Sequence, residues 1–371
     1  MSLSVLRPSS RSRGLLLSLV ALAALCALGG CSTLGYLAQS VQGHLGVMRA
    51  ARPVEAWLAD PGTDAELRER LLLSQRMRDF AVSELALPDN ASYRRYADLG
   101  RSAVVWNVVA APELSLTLKT WCFPVVGCVG YRGYFTRDAA DAQALALRGQ
   151  ALEASVYGVP AYSTLGKLPG DFFADPLLNT FIGYPEGELA RLVFHELAHQ
   201  VSYASGDTEF NESFATAVER LGGARWLARH ASPAAREEHQ HFDARRRDFK
   251  ALVLGARDRL DALYRGAASQ DDKRANKAAV MAALRAEHAR LKAGPWGGYA
   301  GYDAWFASAN NASLGVQAAY NARVPAFEAL FQNEGGDFPR FYAAVERLAA
   351  LPREERHAQL DALAPRALDR R

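Results

Sequence analysis

The chain has 371 residues, 50% of them hydrophobic, and carries 43 Lys and Arg against 40 Asp and Glu for a formal net charge of +3. Three of the arginines and none of the acids lie in the first 30 residues, so the chain beyond them is formally neutral at 40 against 40. A formally neutral chain gives no support to nucleic-acid binding.

In chain order, Arg7, Arg11 and Arg13 precede an apolar run from Leu15 to Leu28. A positive segment followed by a run too short to span a bilayer is the pattern of a secretory signal. The run closes on Leu28-Gly29-Gly30-Cys31, which resembles the lipobox at which bacterial lipoproteins are cleaved. Residues 1–30 are therefore read as a signal peptide and Cys31 as the acylated amino terminus. Several acyl chains on one cysteine anchor stably, so the mature protein is expected to sit on a membrane without crossing it. Ser32 is not the aspartate associated with inner-membrane retention, which favours the outer membrane, with the globular part facing the periplasm.

The remaining residues, 31–371, contain no Gly/Ser or Pro-rich linker and no internal repeat, and read as a single catalytic domain in three stretches. N-terminal helices are expected within 31–100, a sheet and metal-site helices within 101–225, and a helical part over 226–371. Residues 36–51 and 64–85 carry apolar residues at helical spacing. Strand signals follow at 104–109, 131–135 and 156–162, rich in β-branched and aromatic residues and flanked by Gly or Pro. Cys122 and Cys128 stand six apart between strand-like segments, and in an oxidising compartment they read as a local disulfide, with two buried thiols as the other reading. Residues 161–165 are the candidate edge strand for an extended peptide substrate, or else an interior strand of the sheet.

The stretch that predicts a reaction is His195-Glu196-Leu197-Ala198-His199. Pro185-Glu186 opens a segment in which Leu189, Leu192, Val193, Leu197 and Val201 recur at helical spacing, after a loop over 171–180. On a helix, residues i and i+4 share a face, so His195 and His199 can aim a ring nitrogen at one metal ion. Glu196 beside them is the carboxylate that would take a proton from an attacking water. The helix should end near Ser205-Gly206, with Asp207-Thr208 capping the next one. Glu212, 13 residues after His199, is the expected third ligand, with Glu209 and Glu219 as competitors. Glu219, on the same helical face as Glu212, could instead accept the second ring N–H of one histidine.

His195-Glu-x-x-His199 followed by Asn211-Glu212 resembles the gluzincin pattern of zinc peptidases. The chain also resembles, over nearly its whole mature length, a family of bacterial lipoproteins labelled predicted aminopeptidases. The likeness is carried by Leu99-Gly100-Arg101, residues 104–108, Lys119 to Pro124, Tyr131 to Phe135, Gly158 to Gly166 and Phe210 to Thr216. It implies one zinc ion on His195, His199 and Glu212, with Glu196 as the catalytic carboxylate. The strand and helix signals together read as an α+β, helix-rich fold, a small sheet preceding a zincin-type helix, with long helical additions toward the C-terminus. Two departures stand out. The interval from His199 to Glu212 is shorter than in the familiar gluzincins, and the acid expected four residues after the glutamate ligand is Thr216. The Gly-Ala-Met-Glu-Asn motif that grips a free amino terminus is also absent, so the aminopeptidase expectation comes from the family likeness alone.

Beyond residue 216 the pattern is almost wholly helical. Residues 234–266 and 271–292 interleave charges of both signs, as a solvated helical hairpin does. After a break at 294–299, Asn310, Asn311 and Tyr320 either return to the cleft, with Tyr320 facing the oxyanion, or serve capping and packing. The chain thus reads as a zinc-dependent metallopeptidase acting on peptides, an aminopeptidase by resemblance. An endopeptidase of the same kind is one alternative, and a non-catalytic zinc-containing envelope scaffold another. Structural zinc sites usually fill four positions with protein ligands, and only three are visible here.

Overall fold

A computed structural model describes residues 35–123, 127–161, 170–318 and 323–363. The signal segment, Cys31, residues 162–165 of the expected edge strand and Tyr320 lie outside these residues. The chain divides into two units, Met1–Val47 and Met48–Arg371. In the first, the described residues are helical and belong to α1, residues 35–50. The second contains all the features discussed below. Among the described residues no helix is long and apolar enough to cross a membrane.

The fold is α+β and helix-rich, with sheets of only two or three strands. Strand β1 (Arg52–Pro53) leads into α2 (Val54–Ala59) and α3 (Ala65–Ser83). Asp64 starts α3 by accepting the backbone N–H groups of Glu66 and Leu67, donors that a helix start otherwise leaves without partners. Strand β2 (Arg95–Ala97) pairs antiparallel with β1 and parallel with the distant β8 (Leu177–Leu178).

The main sheet has the order β6-β3-β7, from β3 (Val105–Pro112), β6 (Arg132–Tyr134) and β7 (Leu152–Val159). Both neighbours run antiparallel to β3. Residues 105–111 are all buried, which is why this strand reads as an apolar run broken only by Asn107 rather than as an alternation. Helix α4 (Arg137–Arg148) packs on β3 and β7 and buries Ala140, Ala144 and Leu147. Val109 and Ala111 of β3 meet Ala312. Between β3 and β6, β4 (Trp121–Phe123) and β5 (Gly127–Val129) form a hairpin whose Cys122 and Cys128 are disulfide-bonded. The strand expected over 156–162 begins earlier, at Leu152, and ends at Val159 as β7; of the candidate edge over 161–165 only Ala161 is among the described residues, and it lies outside the strand.

Helices α5 (Glu186–Val201) and α6 (Thr208–Arg229) pack closely against each other. Leu189, Ala190, Val193, Phe194, Leu197 and Ala198 from one, and Phe210, Phe214, Ala215, Ala217 and Val218 from the other, are fully buried. Each large apolar side chain so buried contributes roughly 1.5–3 kcal/mol. Gly222 and Gly223 allow the close approach: a Cβ at Gly222 would lie 3.1 Å from the Phe194 ring, and one at Gly223 2.7 Å from Arg191 Cγ. Helix α5 ends four residues before the expected Ser205, because Ser202 is already extended. The connection is then pinned by Asn211, whose side chain accepts the N–H of Ala204 and donates to its carbonyl, both at 2.8 Å.

The expected hairpin is present as α7 (Pro233–Arg265) and α8 (Gln270–Ala293). Short helices α9 (Asp303–Ser308) and α10 (Asn311–Ala318) follow, then α11 (Val324–Asn333), α12 (Phe338–Ala349) and α13 (Arg353–Leu363). Asn310 and Ser313 cap α10 reciprocally, each side chain accepting the other's backbone N–H. Asn311 is fully buried, donating to the carbonyls of Pro112 and Glu113 and accepting from the Tyr264 hydroxyl. Asn311 therefore joins α10 to the end of β3, and Asn310, donating to the Ala154 carbonyl at 3.3 Å, joins it to β7, which is the capping and packing reading.

Candidate active site

One turn of α5 separates His195 from His199, and α6 brings Glu212 up to both. The Nε2 atoms of the two histidines are 3.2 Å apart. Glu212 Oε2 lies 3.3 Å from His195 Nε2, and Oε1 lies 3.8 Å from His199 Nε2. Ligand atoms held about 2.0–2.1 Å from a tetrahedral zinc ion would be about 3.3 Å from one another. Two of the three observed separations match that edge and the third exceeds it by half an ångström. Among the described residues, this is the one group of three or more His, Cys, Asp or Glu able to hold a metal ion. Glu209, the competing ligand, instead pairs with Arg323 at 2.8 Å.

Behind the triad, Glu219 Oε2 accepts from His195 Nδ1 at 2.9 Å, leaving His195 Nε2 on the side of Glu212 and His199. Arg191, one turn before His195, holds the other oxygen of Glu219 at 2.6 Å and reaches Asp243 of α7 at 3.4 Å. Glu219 thus supplies the second acid that Thr216, four residues after Glu212, does not. Burial raises the pKa of Glu219, but the bonds and charges of His195 and Arg191 outweigh it and hold it down to about 2. His199 is pushed down to about 4 by burial, so its ring is neutral and has a lone pair to offer.

Glu196 is surrounded differently. Burial pushes its carboxyl up to about 7, the His195 charge opposing and Glu212, Asp175 and Glu219 adding to the rise. A carboxyl poised near neutrality can both take and return a proton. Asp175 is 1% exposed, and its carbonyl accepts the N–H of Tyr93 at 2.7 Å. Tyr93 sits in the left-handed region at φ 63°, a costly conformation for a bulky residue and one that tends to occur at functional sites. Burial raises its phenol well above the usual value, and Glu196 and Asp175 add to that. Gln200, which follows His199, accepts from Asn90 Nδ2 at 2.7 Å and donates to Ser92 Oγ at 3.1 Å, stitching the 90–93 segment to α5.

Sequence reasoning brought His195, Glu196, His199, Glu212 and Glu219 together but missed Arg191, Asp175, Tyr93 and Gln200. Only Arg191 had a signal, as the one charge inside the apolar stretch 189–194, four residues before His195. The others reach the site through pairings no local pattern announces.

A protein-family model described as "Putative aminopeptidase" matches residues 35–360. No curated protein and no solved structure matches the chain.

Proposed function

Since the chain belongs to the family described as "Putative aminopeptidase", we propose that it is a zinc-dependent metallopeptidase that removes residues from the amino terminus of peptides. The observation that carries this reading is the convergence of His195, His199 and Glu212 beside a carboxyl, Glu196, held near neutral pKa. A structural zinc site has no use for that extra carboxyl. The donor set of two imidazoles and one carboxylate suits zinc and leaves a position for water or substrate.

Zinc, when bound, supplies a Lewis acid for the scissile carbonyl and a water acidified to a pKa of about 7. The protein's own groups do the rest. Glu196 takes the proton of the attacking water and returns it to the leaving amine. Glu219, itself held by Arg191, fixes the tautomer of His195 so that Nε2 remains the donor. Upstream, a lipid on Cys31 would hold the peptidase on the membrane, and Ser32 after it favours the outer membrane, with the globular part facing the periplasm.

The test compares the wild type, Glu196→Gln and His199→Ala on a peptide library, with metal content measured on each. Glu196→Gln should keep its zinc and lose 100-fold or more of the hydrolysis, on the order expected for a proton-transfer group. His199→Ala should lose both. Full activity in Glu196→Gln would overturn the mechanism.

A further inference from the structure

The helix that brings Glu212 to the two histidines is gripped at its start by the far end of the chain. Asp207, the N-cap of α6, is 1% exposed. Its Oδ1 caps the helix in the ordinary way, accepting the Phe210 N–H at 3.1 Å. Its Oδ2 accepts from His357 Nε2 at 2.8 Å and lies 3.4 Å from Arg356 Nε, both on α13 and some 150 residues away. The Arg356 guanidinium also lies over the Phe210 ring, 5.0 Å from its centroid.

A second strut runs parallel to the first. Arg323, at the N-cap of α11, pairs with Glu209 at 2.8 Å and donates to the His357 carbonyl at 3.3 Å and to the Asp361 carboxylate. Its backbone N–H reaches Ser213 Oγ at 3.4 Å. Asp207, Glu209, Phe210 and Ser213 are thus all held from α11 or α13, and Glu212 lies in the turn they enclose. A helix start needs one capping oxygen. The second oxygen of Asp207, buried with an imidazole and a guanidinium on it, ties the start of α6 to α13, and removing either partner leaves a buried carboxylate less well paired.

We propose that His357 and Arg356 are positioning residues: α13 latches the N-terminus of α6 so that Glu212 meets His195 and His199 at metal-binding distance. The inference rests on the reading of Glu212 as a metal ligand. Neither residue touches the metal-binding atoms, and both act through Asp207.

The test uses the full chain and reads zinc affinity by competition with a chromophoric chelator, the visible absorption of the cobalt-loaded protein, and the thermal midpoint of the metal-free form. His357→Leu removes the donor to Asp207, whereas His357→Gln keeps an N–H at similar reach. The latch predicts zinc affinity about tenfold weaker and an altered cobalt spectrum in His357→Leu, the low end of what supporting residues usually contribute. His357→Gln should stay within about threefold of wild type by the same scale. Arg356→Met, read in the same way, gives a second route should His357→Leu fail to fold. A lower thermal midpoint with wild-type zinc affinity in His357→Leu would overturn the latch, because α13 would then contribute stability alone. Equal losses in the Leu and Gln variants would overturn the hydrogen bond as its basis. Wild-type protein that binds no zinc would instead overturn the metal-site reading, and the latch with it.

Discussion

Glu219 lies 2.9 Å from the Nδ1 of His195 and 2.6 Å from Arg191, so one carboxylate both orients a candidate metal ligand and is itself oriented. A histidine whose second nitrogen is fixed presents the first without losing ring freedom on binding metal. Glu219→Ala should weaken zinc binding on the order of 10- to 100-fold, the usual range for such supporting residues. Arg191→Met should weaken it less, about tenfold, because Glu219 keeps its bond to His195. Chelator competition on both variants checks this, and wild-type affinity in Glu219→Ala would remove Glu219 from the site.

The close approach of α5 and α6 makes a second prediction. At Gly222 a side chain would meet Leu85 and Phe194, both fully buried. Gly222→Val should cost about 1–3 kcal/mol through overpacking. Because Gly222 lies more than two helical turns beyond Glu212, most of that cost should appear in the thermal midpoint. Unchanged stability would mean the two helices have slack that the buried core does not suggest.

The parts legible in the sequence are those whose signals are local. The i, i+4 histidines, the apolar spacing of α5, Asp207 as the next cap and the mixed-charge hairpin of α7 and α8 each follow from neighbours within a few turns. Even there the end of α5 moved, because Asn211 holds Ala204 in the connection by contacts seven residues long. Strands β2 and β8 were not foreseen: with three and two residues they carry no period, and they pair across some 80 positions. Helix α4 was also missed, although Thr136 caps it and Ala140, Ala144 and Leu147 recur on its buried face. The hold of His357 on Asp207 spans 150 residues and leaves no mark in either neighbourhood.

Lys250 of α7 gives a stability prediction with a definite sign. Burial pushes its pKa down to about 8, and the charges of Arg246, Arg191 and Arg220 add to this while Glu219 opposes. The folded chain therefore releases a proton near pH 8 that the unfolded chain keeps to about 10.5. Between those values the unfolded state binds more protons, so stability rises with pH there. Below pH 8 the charged ammonium costs on the order of 3 kcal/mol relative to the unfolded chain. Denaturant midpoints of wild type and Lys250→Met should converge as pH climbs from 8 to 10.5, the variant being the more stable at pH 7. A difference independent of pH would mean that the ammonium is better solvated than its surroundings indicate.

The choice between trimming a terminus and cutting within a chain turns on how the site treats the substrate's α-ammonium. Glu212, Glu219 and Asp175 all lie within electrostatic reach of Glu196, against the cation of Arg191 and, on the reading proposed above, a metal ion. A free amino terminus brings a positive charge into that field, whereas an acetylated one brings a neutral amide that a buried polar site cannot pair with equally well. Hydrolysis of a free peptide should therefore exceed that of its N-acetylated form by 100-fold or more in kcat/KM, a difference of about 2.7 kcal/mol. The same pair of substrates on Glu196→Gln should show both rates collapsed, which separates recognition from chemistry. Equal rates on the two peptides with wild-type enzyme would leave a metallopeptidase and remove amino-terminal specificity.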